Sequence, residues 1–342
     1  MPILIVITYD GIGNSVFQSQ VIVPLLARKK KEPRLHIHMV SFEKDPRITL
    51  PHIQGITFHI FKRFPFIHRL SLYPNIMQLR FFLQSFPCYE MLARGPFAGF
   101  IAYHASNKQC TNITIQARGL VAEEYHFALG SKKMSLVERF RYRQFFQLEK
   151  MIYRLNQPHI TLQAVSPALK EYMIKEFAAN REKITIAQDD IPQSITPEQK
   201  KLCRQSIRSE LNIPHDAVVY CYSGSYKPWQ CPHETIAYFK QIAQQNPHAF
   251  LLILTPDVTP FVAQVSTAML PDASYCIRSV APAELFPYLA AADFGLLLRE
   301  KHIINYVSRP TKALEYQAAG LTVMHNDTVA YLKNIAMHEK LD

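Results

Sequence analysis

Short apolar runs recur along the chain, each followed by a turn and then a longer stretch in which apolar residues return every three or four positions. Ile3-Leu4-Ile5-Val6-Ile7 is the first such run, and Phe250-Leu251-Leu252-Ile253-Leu254 is the most continuous. Runs without polar alternation predict strands buried on both faces, and the 3.6-residue period between them predicts helices. In the first half the pattern predicts strands at 3–8, 35–41, 113–117, 160–165 and 184–187, and helices near 15–28, 75–94, 134–155 and 167–177. In the second half it predicts strands at 217–222, 250–254, 274–277, 294–298 and 321–324, and helices at 232–245, 282–291 and 310–319. Strands alternating with helices make a parallel sheet covered on both sides. The stretch Asp189-Asp190-Ile191-Pro192-Gln193-Ser194-Ile195-Thr196-Pro197 collects turn formers and helix breakers, which divides the chain into 1–190 and 191–342. The expected fold class is α/β, with two Rossmann-like domains.

Composition supports this division and adds a charge asymmetry. A chain of 342 residues with 48% hydrophobic and 19% charged residues is long enough for two folded cores. Lys and Arg exceed Asp and Glu by eleven over 1–190 and balance them over 191–342. An excess confined to one domain points to an anionic partner for that domain, although a solvated basic face would account for any single lysine. Six scattered cysteines with no CxxC pair argue against a zinc site or a disulfide framework. The first strand has no basic leader and no cleavage site, and no apolar run reaches the ~18 residues of a membrane span. The expected location is the cytoplasm, where the Asn112-Ile113-Thr114 sequon meets no glycosylation machinery.

In doubly wound sheets ligands bind at the carboxyl ends of strands, so candidate chemistry belongs in the loops that follow them. After the first strand comes Tyr9-Asp10-Gly11-Ile12-Gly13-Asn14-Ser15, where Gly11 and Gly13 permit close approach of a ligand; a plain strand-to-helix turn explains them equally well. After the first strand of the second half comes Ser223-Gly224-Ser225-Tyr226-Lys227-Pro228-Trp229-Gln230. There Gly224 leaves room and Lys227 can neutralise a diphosphate or stand exposed. The richest stretch runs from Arg299 to Gly320. Pro310 suits a helix start and Gly320 its stop. Arg299, Arg309 and Lys312 surround that start, as an anion site requires. Glu315 lies one turn behind Lys312 on nearly the same face, where its carboxylate can accept hydrogen bonds from a ribose diol. An ordinary surface Lys–Glu pair is the plainer reading of the same spacing.

The stretch resembles the donor signature of retaining glycosyltransferases of the GT-B fold, specifically family four. Arg299, Glu300, Asn305, Pro310, Lys312, Glu315, Tyr316, Ala318 and Gly320 match a common form of that signature. The Tyr222–Gln230 loop is similar to its partner loop. Ala93-Arg94-Gly95-Pro96-Phe97-Ala98-Gly99, Gln116-Ala117-Arg118-Gly119-Leu120 and Val165-Ser166 agree more loosely. Many members carry a glutamate eight residues before the ribose-binding one, where this chain has Val307. GT-B enzymes also usually continue beyond the last strand with a long returning helix, so the resemblance implies a short or truncated C-terminal domain.

The resemblance implies two Rossmann-like domains facing a cleft, the basic first one for the acceptor and the second for the nucleotide sugar. Transfer is expected to rest on Lys227, Lys312, Glu315 and Arg118. Gly11, Gly13, Gly224, Arg299, Asn305, Ser308, Pro310 and Thr311 are expected to line the donor, and Glu123 and Glu124 to face the acceptor. Fixed positive charge on the departing diphosphate makes a metal or further cofactor unnecessary. The implied partners are a nucleotide-sugar donor and a glycan or lipid-linked acceptor, in cell-surface polysaccharide synthesis. An anionic membrane surface is a further expected partner. Arg28-Lys29-Lys30-Lys31, Lys62-Arg63 and the helix carrying Arg139, Arg141, Arg143, Lys150 and Arg154 would supply charge to it. The stripe Leu72, Tyr73, Ile76, Leu79, Phe82, Leu83 and Phe86 either lies in the lipid interface or packs as a buried helix. Nucleic acid is not an expected partner, because no RNP-like motif, zinc knuckle or basic zipper occurs. The alternative to an active enzyme is a catalytically retired GT-B subunit that binds without turnover.

Overall fold

The computed structural model describes residues 2–9, 11–12, 17–47, 52–130, 133–188, 192–281 and 284–333. The chain forms two compact units, Met1–Asp190 and Ile191–Asp342. In the first unit the strands are β1 (Ile3–Thr8), β2 (His36–Glu43), β3 (Ile56–Lys62), β4 (Tyr89–Arg94), β5 (Cys110–Ala117), β6 (Ile160–Ala164) and β7 (Ile184–Ile186). They form one sheet in the order β3-β2-β1-β4-β5-β6-β7, and every pair is parallel. In the second unit β8 (Val218–Ser223), β9 (Ala249–Leu254), β10 (Tyr275–Arg278), β11 (Phe294–Leu297) and β12 (Thr322–His325) form the order β10-β9-β8-β11-β12, again all parallel. Strand order reverses between β1 and β4 in one sheet and between β8 and β11 in the other. At each reversal neighbouring loops diverge to opposite faces and leave a crevice at the strand ends.

The strands form where continuous apolar residues can be covered on both sides. All six residues of β9 are buried, and Val219, Cys221, Leu252 and Leu297 join Ala313 and Tyr316 in one core cluster of the second unit. The first unit has its own cluster, in which Leu4, Val6, Ile37 and Met39 meet Val21, Ile22 and Leu25. Helix starts follow local chemistry. Ser135 with Glu138, and Thr196 with Gln199, close capping boxes on helices Leu136–Tyr153 and Pro197–Glu210. Ser166 caps Pro167–Phe177, with Pro167 in the first turn.

Two expectations are corrected. The helix expected over 75–94 ends at Leu83, and residues 89–94 are a strand. Pro87 breaks the helix, and Tyr89, Met91 and Ala93 are buried while Glu90 and Leu92 are half-buried, a period of two. Strand β3 was not expected because, as an edge strand, it has half-exposed residues in place of a continuous buried run. Of the two readings of the Leu72–Phe86 stripe the buried helix holds: Leu72, Ile76, Leu79 and Leu83 are buried, Phe82 and Phe86 pack against the rings of His38 and His59, and Tyr73 faces outward at 59% exposure. Among the described residues no helix is long and apolar enough to cross a membrane. All six cysteines are free thiols.

Candidate functional site

The reversal point of the second sheet gathers most of the charged residues singled out in the second half. Strand β11 is followed by Leu298 and Arg299, and strand β8 by Gly224 and Ser225; helix Thr311–Ala318 begins beside both. Pro310 occupies the N-cap of that helix with extended backbone, one position earlier than its expected place in the first turn. At the other end Gly320 takes φ +72, and the Leu321 N–H reaches back to the Tyr316 carbonyl at 2.9 Å. That is a Schellman stop, and it needs a residue without a side chain. The Lys200 ammonium also donates to the Gly320 carbonyl, a cation at the negative end of the helix.

Tyr316 fixes the helix on the sheet. Its ring is fully buried, and its hydroxyl oxygen accepts the Ser223 N–H at 2.8 Å. The ring lies against strand β11 at Gly295, where a Cβ would come within 2.3 Å of it. Any side chain at 295 would push the helix off the sheet. Neither Gly295 nor this use of Tyr316 was evident beforehand, although the tyrosine belongs to the matched signature.

Lys312 is held above the loop after β8. Its ammonium lies 4.1 Å from the centre of the Tyr222 ring and donates to the Gln230 side-chain oxygen. The single proton of the Tyr222 hydroxyl is shared between that same oxygen at 3.0 Å and the Ser225 carbonyl at 2.9 Å. The Gln230 amide reaches the Ser225 hydroxyl at 3.3 Å. Gly224, at φ +132, clears the lysine: a Cβ there would lie 2.5 Å from its Cε and Nζ. Burial and then the nearby Arg299 guanidinium push the Lys312 ammonium well below the usual lysine range, with Glu315 opposing. Burial also lowers Arg299, and it raises the Glu315 carboxyl against the pull of Lys312. The Arg299 guanidinium makes no hydrogen bond or ion pair to a described residue, while its backbone is laced to the loop after β12. Asn326 accepts its N–H at 3.2 Å and donates to its carbonyl at 2.8 Å. Two desolvated cations and the positive end of a helix can hold an anion, and one carboxylate a turn inward can accept hydrogen bonds from a neighbouring diol.

The other expected donor residues of this unit have distinct placements. Asn305 is buried, its amide donating to the Glu300 carbonyl at 2.8 Å, and the Ser308 hydroxyl donates to the Asn305 carbonyl at 2.8 Å. Both shape the loop into the helix. Thr311 is the first helical residue, and Val307 is core. Lys227 is exposed on the loop after β8.

In the first unit Gly11 lies after β1 with φ +87; Gly13 is outside the described residues. Glu43, at the end of β2, accepts the Ile12 N–H at 2.8 Å, and its carboxylate stands 3.0 Å from where a Gly11 Cβ would be. A protein carboxylate therefore already sits on this glycine turn. Arg118 follows β5, and the Glu124 carboxylate folds over Gly119, where a Cβ would lie 2.2 Å from it. Glu123 accepts from the Tyr142 hydroxyl at 2.7 Å.

The Arg118 loop leads into helix Val121–Ala128, whose start is capped by a residue outside the sequence motifs. Glu149, 1% exposed, accepts the N–H groups of Val121 at 2.7 Å and Ala122 at 3.2 Å. Its signal was a carboxylate on the apolar face of helix Leu136–Tyr153, beside Leu148 and Ile152. Burial raises its carboxyl to about 8, with Glu124 and Glu123 adding to the rise and the two N–H bonds opposing it. The folded state thus keeps a proton that the unfolded state, titrating near about 4.3, gives up. Stability from this group is full below that pH and is lost as pH rises toward 8. Glu149→Gln is expected to flatten the decline in melting temperature across that window and to cost about 1 kcal/mol at the acid end for the weakened cap. An unchanged slope would contradict the assignment.

Among the described residues no group of three His, Cys, Asp or Glu is placed to hold a metal. No protein-family model matches the sequence, and no curated protein is similar to it in sequence. Solved structures are similar in fold. A glycosyltransferase from Rickettsia africae superposes with a TM-score of 0.66 at 10% identity, over 99% of this chain and 84% of its own. WaaG, a glycosyltransferase involved in lipopolysaccharide biosynthesis, gives 0.65 at 14%, over 98% and 84%. Anabaena HepE, solved with UDP and glucose, gives 0.63 at 12%, over 96% and 82%. At such identities the likeness is one of architecture, and it shows that this chain has the GT-B fold.

Proposed function

We propose that the chain is a retaining glycosyltransferase. It takes a sugar from a nucleoside-diphosphate donor and passes it to a glycan or lipid-linked acceptor in cell-surface polysaccharide synthesis. The observation that carries this reading is the pairing of Lys312 and Arg299 at the start of helix Thr311–Ala318, with Glu315 one turn behind, at the reversal point of a sheet. The anomeric carbon–oxygen bond to the diphosphate breaks as the acceptor oxygen bonds to the same carbon from the same face, and the acceptor proton passes to the leaving diphosphate. The two cations and the helix end are already oriented toward the charge that grows on the diphosphate, so little reorganisation is required. Glu315 holds the ribose hydroxyls. Lys227, Arg118, Glu123 and Glu124 remain candidates for the sugar and acceptor side. HepE, whose structure contains UDP and glucose, supports a uridine donor as the first choice.

Thermal melting with a panel of nucleoside diphosphates and sugar nucleotides tests the reading. A ligand at about 100 times its dissociation constant adds about 2.7 kcal/mol of stability. At least one diphosphate and its sugar conjugate are expected to raise the melting temperature. No shift with any member of the panel would overturn the donor site. A shift without consumption of any sugar nucleotide would favour the retired-subunit alternative.

A further inference from the structure

His325 ends strand β12, where it pairs with Leu297 of β11, so the loop after it leaves the sheet beside the loop that carries Arg299. The ring is 4% exposed. Its Nδ1 accepts the Asp327 N–H at 3.0 Å, which leaves the neutral ring its proton on Nε2. That Nε2 is buried and meets no hydrogen-bond partner among the described residues. The turn closed in this way is a strained one. Asp327 has φ +53, a left-handed backbone that an aspartate keeps only where its surroundings hold it. On either side of Asp327 the same turn grips Arg299. Asn326 bonds both its N–H and its carbonyl, and the Thr328 hydroxyl donates to that carbonyl at 3.2 Å.

We propose that His325 is a positioning residue for the donor site: its neutral ring holds the turn Asn326–Thr328, that turn holds the backbone of Arg299, and a proton on the ring releases both. The inference rests on the reading of Arg299 as a ligand of the diphosphate. A proton on Nδ1 displaces the Asp327 N–H, because a protonated nitrogen cannot accept, and it places a charge on a ring whose Nε2 already lacks an acceptor. The Asp327 carboxylate, 3.5 Å from Nδ1, is the group that would take the new N–H, and it can do so only by reorganising the turn. Burial holds the ring below the usual histidine range, with Asp327 opposing and Lys333 of the following helix adding to the fall; β11 faces it with the apolar Leu297. The opened turn therefore binds the proton more tightly than the closed one. The closed turn is fully favoured above the ordinary histidine value of about 6.5 and loses ground as pH falls below it.

Calorimetric titration of the full chain with UDP-glucose at a series of pH values tests it. A sugar nucleotide keeps one diphosphate charge across the series, so the ligand adds no step of its own. Wild-type affinity is expected to fall about threefold between about pH 8 and about pH 5.5. His325→Leu offers no acceptor and is expected to bind about fivefold more weakly at the alkaline end, the worth of one hydrogen bond. His325→Asn offers a side-chain oxygen to the N–H two residues on, so it should bind within about twofold of wild type there and lack the acid step. Glu315 titrates alike in all three proteins, so the difference between wild type and the asparagine variant isolates the ring. Hydrogen exchange at the Arg299 amide, followed without nucleotide, should quicken in His325→Leu and slow again in His325→Asn. If the wild type does not bind UDP-glucose, the uridine reading falls and the exchange result alone decides the brace. An acid step that persists in His325→Asn would overturn the proposal. So would wild-type affinity in His325→Leu, or an unchanged exchange rate in that variant.

Discussion

Lys312→Ala is expected to abolish stabilisation by a nucleoside diphosphate and to lower sugar transfer about 10²–10³-fold, the loss seen when one fixed group facing developing negative charge is removed. The ligand-free protein should melt within about 1 kcal/mol of wild type. The ammonium is desolvated next to Arg299, so its removal relieves a repulsion while forfeiting the Tyr222 and Gln230 contacts. Loss of ligand response without loss of stability distinguishes a binding lysine from a structural one. The depressed lysine pKa adds a pH signature. Below that pKa the free protein already carries the charge that the diphosphate needs. Above it, binding must take up a proton, so affinity falls as pH rises through the depressed value. Calorimetry in two buffers of different ionisation enthalpy reads that proton directly in the wild type and should find none in the alanine variant. A variant that responds to nucleotide as the wild type does would remove Lys312 from the site.

Asp293→Ala is expected to produce the largest loss of stability in the second unit. Asp293 stands just before β11, at the amino ends of the strands and so at the opposite edge of the sheet from Lys312. Its carboxylate accepts from Arg204 at 2.7 Å, from Arg208 at 2.9 Å and from the Val219 N–H at 2.9 Å. The Arg208 side chain is only 7% exposed. Removing the carboxylate takes the ion-pair acceptor from Arg204 and from Arg208 Nη2 and leaves the Val219 N–H unpaired, while Arg208 keeps the Ala291 and Ala217 carbonyls at 3.0 and 2.8 Å. Breaking a buried pair costs about 3–5 kcal/mol. The partial exposure of Asp293 puts the expectation near the lower figure, or a fall of roughly 10 °C in a unit of this size. Thermal melting in chaotrope-free buffer reads it. A change below about 1 kcal/mol would show that water replaces the carboxylate.

The strands with continuous apolar residues were legible because burial on both faces leaves one reading of the pattern; β1, β8 and β9 fall within a residue or two of their expected limits. Strands β3 and β4 were hidden because each has a half-exposed face, so their residues alternate and merge with neighbouring helical periods. Helices Gly95–Ala105 and Val258–Ala268 were also missed. Gly95–Ala105, rich in Ala, Gly and Phe and buried nearly all round, carries little amphipathic contrast, whereas Val258–Ala268 buries only Phe261 and Val265 and has Pro260 inside it. In the candidate site, the grouping of Arg299, Lys312 and Glu315 was legible through the resemblance to a donor signature, since their spacing alone reads equally as an ordinary surface Lys–Glu pair. Gln230 and Tyr222 as the seat of Lys312, Asn326 as the brace of Arg299 and Gly295 as the slot for Tyr316 depend on contacts spanning 20 to 93 positions. No local pattern encodes such distances.

The slot at Gly295 bears on how this chain can change over generations. The helix carrying Lys312 and Glu315 is registered on the sheet by the Tyr316 ring and the Ser223 N–H, not by anything bound to it. A lineage that lost the proposed reaction would therefore relax selection on the residues that serve it while folding itself continued to select for the ring and its glycine. Descendants of such a chain would keep a shaped anion seat long after the last turnover, available for sensing a nucleotide pool or for founding a new reaction.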